Sequence, residues 1–175
     1  MIKKLNLGSG KDYKKGEEWT NLDYNNDYKT DVNHDLDKYS YPFKDEEFDY
    51  VYCSHILEHV KDLFKTLREI ERIIKPGGKF HIRVPHFSNG NGYNDLTHRR
   101  FFGWHTFPQL LEGYYRERYN FKIKSMRFNY LAEGHQTANK LFSWFFNILP
   151  KQFYERFLCW VLPVGEIELL LKKIK

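Results

Sequence analysis

Short apolar runs that end in turn-forming residues mark the predicted strands of this chain. Such runs occupy residues 2–7, 19–23, 48–53, 79–84, 121–126 and 166–171. The first run stops at Gly8-Ser9-Gly10 and the fourth stops at Pro85, as expected of buried strands that are closed by tight turns. The hydrophobic pattern therefore predicts six strands.

Between the third and fourth runs the apolar spacing changes to that of a helix. Apolar residues within 62–75 recur at spacings of four, three and four residues, which is the signature of an amphipathic helix. These residues are Leu63, Leu67, Ile70 and Ile74. Pro76 ends the helix, and the two glycines after it supply the turn. Strands joined by a helical crossover predict an α/β fold, a three-layer α/β/α, doubly wound (Rossmann-like), mostly parallel sheet.

A second helical pattern, rich in aromatic residues, follows at 141–164. Pro150 divides it into two apolar faces, which consist of Leu141, Phe145, Ile148 and Leu149 and of Phe153, Phe157, Trp160 and Val161. The segment is too polar and too broken to span a bilayer. It fits helices that cover the sheet, an interfacial membrane contact, an aromatic lid or a dimer face. We expect one domain over residues 1–175, with an aromatic helical insertion at about 129–163.

Composition narrows these alternatives only slightly. The 175 residues carry a formal net charge of +5 and a sequence pI near 9, which permits a nucleic acid, an acidic glycan or an anionic membrane as partner and selects none of them. Nothing in the chain resembles an RNA- or DNA-binding module, so we predict no specific nucleic-acid partner. Cys53 and Cys159 are too few for a disulfide framework, and the first residues lack the apolar stretch of a signal peptide. We expect a cytoplasmic protein, with peripheral membrane contact as an alternative.

Ligands bind doubly wound sheets at the carboxyl ends of the strands, so residues that follow the strands carry the candidate chemistry. Gly8 and Gly10 let the backbone turn sharply and approach a ligand without a Cβ in the way. Asp23 ends the second run, where a carboxylate can bind both hydroxyls of a ribose. It comes 13 positions after Gly10, compared with about 20 in dinucleotide-binding units. We therefore predict a first crossover helix that is shortened to about two turns or absent, which argues against a nicotinamide enzyme.

Six motifs follow one another in a recognisable order. They are residues 5–10 (Leu-Asn-Leu-Gly-Ser-Gly), 21–23 (Asn-Leu-Asp), 35–36 (Asp-Leu), 42–49 (Pro-Phe-x-Asp-x-x-Phe-Asp), 54–59 (Ser-His-x-Leu-Glu-His) and 67–78 (Leu-x-Glu-x-x-Arg-x-x-Lys-Pro-Gly-Gly). The series resembles class I S-adenosylmethionine-dependent methyltransferases of the type 11 group, over residues 3–86 and more loosely 95–102. The resemblance implies methyl transfer from S-adenosylmethionine. It also implies about seven strands, of which the last, near 166–173, is antiparallel.

The same resemblance implies a set of cofactor-binding residues at the strand ends. They are Gly8, Ser9, Gly10, Asp23, Asp35, Leu36, Ser54 and His55. The glycines would approach the methionine part of the cofactor, and Asp23 would hold the ribose. Asp35 would bind the adenine amino group and Leu36 would pack on the ring. The last two residues of the set would line the methyl-transfer site.

The chain departs from the family pattern in three places. Asn6 replaces an acidic residue in the first strand, and Asp12 replaces the third glycine of the loop. The helices that precede the first strand in the family are missing. A cover for the cofactor must therefore come from later in the chain, or be lost.

Two alternatives to methyl transfer remain. The string His55-Ile-Leu-Glu58-His59 matches the His-x-x-Glu-His pattern of zinc hydrolases, in which two imidazoles one helical turn apart hold a metal. The missing helices also fit a non-catalytic, degenerate scaffold that acts as an interaction or membrane-surface protein. The methyltransferase interpretation needs no metal, so it predicts no metal ligands.

Candidate catalytic residues follow the predicted strand at residues 79–84. Asp95 could orient His98 as a general base, because the unperturbed pKa of an imidazole lies near neutrality. His86 follows its strand directly and is a second candidate base. Arg99 or Arg100 could hold an anionic acceptor. We predict a small metabolite or a glycan as the methyl acceptor.

Overall fold

The computed structural model describes residues 1–131 and 136–175, which contain one seven-stranded sheet. Its strands are β1 (Lys4–Leu7), β2 (Trp19–Asp23), β3 (Val32–Asn33), β4 (Phe48–Ser54), β5 (Ile74–Pro85), β6 (Phe121–Asn129) and β7 (Glu166–Lys173). Their order is β3-β2-β1-β4-β5-β7-β6, and within the described residues β7 alone runs antiparallel to its neighbours. The predicted α/β fold with a mostly parallel sheet is confirmed. The hydrophobic pattern missed the two-residue β3.

The helices are α1 (Leu63–Ile73), α2 (Asn91–Asn94), α3 (Thr106–Leu111), α4 (Gln136–Ile148) and α5 (Lys151–Phe153), which continues into a π-helical turn at Tyr154–Leu158. The side chain of Asp62 caps α1 by accepting a hydrogen bond from the N–H of Lys65 at 3.0 Å. Pro76 lies inside β5, which begins at Ile74 rather than at residue 79 as predicted. None of the described helices combines the length and hydropathy needed to cross a bilayer. Of the predicted aromatic insertion, residues 132–135 lie outside the described residues.

The two faces of the sheet differ in chemistry. One face is apolar and shares a buried core with α1 and α3; its members include Leu5, Leu7, Leu22, Val51, Cys53, Phe80, Ile82, Ile167 and Leu169. Alternate positions of the same strands place polar side chains on the opposite face, namely Asn6, Asn21, Tyr52, His81, Arg83, Glu166 and Glu168. A parallel strand covered by helices on both faces reads as a continuous apolar run. The alternation therefore assigns the main core to one face.

An eleven-residue loop, residues 8–18, joins β1 to β2 without a helix. The first crossover helix was predicted to be either shortened or absent, and it is absent. Asn6 Nδ2 donates hydrogen bonds to Asn21 Oδ1 at 3.0 Å and to the carbonyl of Asp12 at 2.7 Å. The amide of Asn21 in turn binds the backbone N–H and carbonyl of Lys14 at 2.8 and 2.9 Å. These buried amides hold the loop on the polar face, where a crossover helix would otherwise lie.

Candidate functional site

The carboxyl ends of β1, β2, β3 and β4 surround a cavity of about 520 Å³, which we call the first cavity. Five of the eight predicted cofactor-binding residues line it: Gly8, Asp23, Asp35, Leu36 and His55. Ser9, Gly10 and Ser54 adjoin these residues in the chain. The lining also includes Tyr24, Asn25, Tyr28 and Ile56, which the sequence analysis did not single out although they follow β2 or β4 closely. The volume is typical of a cofactor or small-molecule site.

The loop after β1 requires glycine conformations. Gly8 and Gly10 have φ angles of +71° and +45°, in the left-handed region that favours glycine. A Cβ on Gly8 would collide with the side chain of Ile56. Ser9 is buried between the glycines, and its Oγ has no hydrogen-bond partner in the described residues. A close backbone turn beside an unpartnered hydroxyl fits the polar atoms of a bound ligand.

Backbone N–H groups hold Asp23 and Asp35 in place, which are two of the three carboxylates that line the first cavity. Asp23 is 7% exposed and accepts hydrogen bonds from the N–H of Gly10 at 2.7 Å and of Asn25 at 2.9 Å. Asp35 accepts one from the N–H of Asp37 at 3.0 Å. Each carboxylate oxygen can accept two hydrogen bonds, so both residues retain capacity toward the cavity. The glycine turn, the buried hydroxyl and these carboxylates fit the parts of S-adenosylmethionine that the resemblance assigns to them.

His55 follows β4 in a backbone conformation that is unusual for a residue with a side chain, with a φ of +55°. Its Nε2 lies 3.0 Å from Glu166 Oε2, and its Nδ1 lies 3.5 Å from Glu58 Oε1. Burial alone would lower the pKa of His55. The hydrogen bond and the charges of the two glutamates outweigh burial and raise the pKa to about 9. His55 is therefore an imidazolium at neutral pH.

Glu166, the first residue of β7, joins His55 to a second group of polar side chains. It is fully buried and accepts hydrogen bonds from the guanidinium of Arg83 at 2.8–3.0 Å and from Asn129 Nδ2 at 2.6 Å. A buried carboxylate needs such partners because an unpaired charge there is strongly destabilising. From the sequence, Glu166 was predicted only as a strand residue. The alternation of Glu166 and Glu168 with apolar neighbours was the available signal that these carboxylates share a face.

A second cavity, of about 800 Å³, lies between the polar face of the sheet and α4. Glu166 and Arg83 line it, so the hydrogen bond between His55 and Glu166 connects the two cavities. The rest of its lining combines amides, indoles and cations, including Asn129, Asn139, Asn147, Trp104, Trp144, Lys140 and Lys151. None of these residues was predicted as part of a site.

The predicted pair of Asp95 and His98 does not form a hydrogen bond. The nearest oxygen of Asp95 is 3.8 Å from His98 Nε2, because this carboxylate accepts from the N–H and hydroxyl of Thr97 instead. His98 Nδ1 bonds to the carbonyl of Gly92 at 2.8 Å, and its side chain is only 10% exposed. Thr97 and Arg99 line the first cavity whereas His98 does not. His98 is therefore oriented by the backbone rather than by Asp95.

Two other predicted residues have structural partners. His86 is fully buried, and its two ring nitrogens lie 2.7 Å from Ser88 Oγ and 3.2 Å from Glu155 Oε1. It lines neither cavity, so the structure does not place it as a base. Arg100 donates hydrogen bonds to three backbone carbonyls within residues 57–61 and holds the segment after β4.

Within the described residues, one group could hold a metal ion: Glu58, His59 and His98, whose potential ligand atoms lie within 4.8 Å of one another. This group omits His55. The two imidazoles of the His-x-x-Glu-His string do not converge, because His55 binds Glu166 while His59 binds Thr97 Oγ1 at 2.8 Å. The arrangement therefore differs from the one that the zinc-hydrolase alternative requires.

Sequence comparisons match only part of this chain. Residues 14–82 match the model of a methyltransferase domain family. A sterol 4-C-methyltransferase from Caenorhabditis elegans is 46% identical over 39 residues, which are 22% of this chain and 12% of that protein. A demethylmenaquinone methyltransferase from Staphylococcus saprophyticus is 48% identical over 42 residues, 24% of this chain and 18% of that protein. The chain thus aligns with less than a fifth of either relative's length.

Solved structures match the fold along almost the whole chain. A methyltransferase from Archaeoglobus fulgidus that depends on S-adenosylmethionine has a TM-score of 0.66 at 20% identity, covering 98% of this chain and 86% of that chain. The YcgJ protein from Bacillus subtilis has a TM-score of 0.60 at 16% identity, covering 98% and 91%. The [4+2]-cyclase SpnF also has this fold, with a TM-score of 0.57 at 15% identity, covering 98% and 75%. The fold by itself therefore does not fix the reaction.

Proposed function

Because the chain carries a methyltransferase domain of the class I, type 11 group, we propose that it transfers a methyl group from S-adenosylmethionine to a small metabolite or a glycan. The cofactor supplies an activated methyl group on a sulfonium centre. The chain supplies binding, alignment and electrostatics. The observation that carries the proposal is the convergence of Gly8, Asp23 and Asp35 on one cavity at the carboxyl edge of the sheet.

Different residues of the first cavity would bind different parts of the cofactor. Gly8 and Ser9 would hold the methionine part with backbone groups and a buried hydroxyl. Asp23 would hold the ribose through charge-assisted hydrogen bonds, each contributing about 1.5–3 kcal/mol. Asp35 and Leu36 would hold the adenine at its amino edge and its face. His55 lines the same cavity and contacts Glu166, which faces the second cavity.

The second cavity supports a polar acceptor. Its asparagines can pair with hydroxyl groups, and indoles such as Trp104 and Trp144 offer flat apolar surfaces for a sugar ring. Lys140 favours an acceptor with anionic groups, whereas Arg83 pairs with Glu166 and the ammonium of Lys151 donates to three backbone carbonyls. This lining fits a glycan or a hydroxyl-bearing metabolite. An acceptor held there would reach the first cavity at the contact between His55 and Glu166.

His55 is better placed than His98 to act on the acceptor, because it lines the first cavity and His98 does not. As an imidazolium, His55 cannot take a proton from a hydroxyl group at neutral pH. For an acceptor that is already ionised, His55 would instead orient the anion, and alignment would carry the reaction. For a hydroxyl acceptor, His55 becomes a base as the pH approaches its pKa of about 9.

Cofactor binding is the first test. S-adenosylhomocysteine at 100 times its dissociation constant should stabilise the fold by about 2.7 kcal/mol, and NAD should have no effect. Absence of any shift at millimolar ligand would favour the degenerate-scaffold alternative. The acceptor test incubates the protein with labelled S-adenosylmethionine and cell-extract fractions. Label is expected in polar small molecules or glycans, and label confined to another class would reject the assignment of the second cavity.

A further inference from the structure

Helix α4 buries Phe146 but turns most of its other apolar side chains toward solvent. Polar side chains on its inner face, Asn139, Ser143 and Asn147, hydrogen-bond backbone atoms of residues 128, 130 and 131 at 2.8–3.1 Å. On its outer face, Leu141, Trp144 and Ile148 are 64%, 62% and 57% exposed. β6 is an edge strand, so its free backbone groups need polar partners and attract the polar face of the helix. The apolar face is left outside, contrary to the interpretation that these helices only cover the sheet.

The next segment also exposes apolar side chains. Phe153, Phe157 and Trp160, in α5 and the residues after it, are exposed, whereas Tyr154 in the same stretch is buried. We call the exposed apolar residues within 141–161 the aromatic surface. Single exposed apolar residues are ordinary, but a cluster of this size in two consecutive segments marks an interaction surface.

The charged residues near the aromatic surface indicate which kind of partner it binds. Within residues 136–165 the sequence has one carboxylate, Glu155, out of 23 acidic residues in the chain. Glu155 turns inward and binds His86 Nε2 and the backbone N–H of Trp104. The exposed charged residues of the segment are cations, Lys140 and Arg156. An aromatic surface accompanied by cations and lacking exposed carboxylates complements an anionic bilayer. A second copy of the chain would instead bring like charges together.

We propose that the aromatic surface docks the protein peripherally on an anionic lipid bilayer. Tryptophan favours the headgroup region, and both Trp144 and Trp160 are exposed here. Trp144 also lines the second cavity, so docking brings that cavity close to the headgroups. The proposal concerns surface chemistry and does not depend on methyl transfer.

Vesicle co-sedimentation tests the proposal. The wild type should bind vesicles of phosphatidylcholine with phosphatidylglycerol far better than vesicles of phosphatidylcholine alone, and high salt should weaken binding. A Leu141→Ser/Ile148→Ser double variant should bind at least about tenfold more weakly with an unchanged thermal midpoint. The matched control is Leu96→Ser, because Leu96 is 97% exposed and lies outside the surface. Equal binding by the double variant, or no binding by the wild type, overturns the proposal.

A second measurement tests the proposal if the Leu141→Ser/Ile148→Ser double variant fails to fold. Tryptophan emission of the wild type should shift to the blue on addition of anionic vesicles. The shift should be lost in Trp144→Phe/Trp160→Phe, which keeps the apolar character of the surface and leaves Trp19 and Trp104 in place. A shift that survives in this variant overturns the proposal. Light scattering would also overturn the proposal if it showed that the wild type is a dimer that does not bind vesicles and that Leu141→Ser dissociates this dimer. Calorimetry with S-adenosylhomocysteine is read separately, so failure here leaves the proposed function untouched.

Discussion

The imidazole of His55 hydrogen-bonds the carboxylate of Glu166 across 111 sequence positions, with Nε2 and Oε2 3.0 Å apart. The contact joins the end of β4 to the start of β7. Because β7 runs antiparallel between β5 and β6, its first residue lies at the edge where the parallel strands end. The one antiparallel strand among the described residues thus delivers a carboxylate to the edge that holds the first cavity.

We expect the protein to lose stability as the pH rises from about 6.5 to about 9. The pKa of His55 is about 9 in the folded chain, above the ordinary value of 6.5 that applies when unfolded, so the folded state holds this proton more tightly. Its stabilisation is complete below the unfolded pKa and is lost as the pH passes through the folded pKa. Because the side chain is partly exposed, we expect a loss of about 1–2 kcal/mol in the free energy of unfolding. Urea unfolding at a series of pH values measures it.

The matched control for this pH dependence is His55→Asn. Asparagine tolerates a positive φ better than other side chains, so the backbone at this position is kept while the titrating group is removed. Stability of the variant should be nearly flat over the same pH window. A slope equal to that of the wild type would assign the pH dependence to other groups.

Replacing Asp23 by asparagine should weaken binding of S-adenosylhomocysteine by about 10- to 100-fold. The substitution removes the charge that would hold the ribose, while one oxygen remains to accept from the loop. Calorimetry measures the affinity, and thermal unfolding checks that the fold persists. Asp27→Asn is the control, since Asp27 is exposed and lines neither cavity. Equal affinities of the two variants would remove the ribose assignment.

Turnover should depend on His55 more than on His98. With a hydroxyl acceptor, the wild-type rate should rise toward pH 9, and His55→Asn should lower kcat by about 100-fold and flatten the profile. With an anionic acceptor, the same change should mainly raise KM. His98→Ala should change either value by only a few-fold, because His98 lines neither cavity. A larger loss in His98→Ala than in His55→Asn would restore the catalytic role predicted for His98.

Chelation should leave cofactor affinity unchanged. The predicted contacts come from the glycine loop and the carboxylates of the first cavity, none of which needs a metal. Calorimetry with S-adenosylhomocysteine before and after dialysis against EDTA measures the effect. An affinity that falls and is restored by zinc in the wild type and in His105→Ala, but not in His59→Ala, would place a metal at Glu58, His59 and His98. His105 is exposed and serves as the control.

Local patterns sufficed for the elements whose signals are local. The apolar spacing around Leu67 and Ile70 defines α1 within a few residues, and turn-bounded apolar runs locate β1, β2 and β4. β3 escaped because two residues make no pattern; it exists through the pairing of Val32 with Leu22. Pro76 was expected to mark a turn, yet it lies in a strand whose register shifts near its start.

Contacts between residues that are far apart in the sequence limited how much of the site could be predicted. Gly8 and Asp23 could be found because they lie at the ends of predicted strands, and parallel strand ends meet at one edge. Asp35 came only from the family resemblance, because β3 was not predicted. Glu166 lies 111 positions from His55, so no spacing rule connects them. The orientation of α4 could not be predicted either, because an apolar helix face is usually buried. The competing need, an unpaired edge on β6, arises only once the order of the strands is known.

The loop between β1 and β2 makes the connection short but also sensitive to substitution. Parallel strands ordinarily need a connection of a dozen or more residues, usually with a helix. Here Asn6 and Asn21 supply from their side chains the hydrogen bonds that a helix would make within its own backbone. A helix spreads its order over many equivalent bonds and tolerates the loss of one. Two amides have no such redundancy, so a single substitution at either position should directly disturb the glycine turn at residues 8–10.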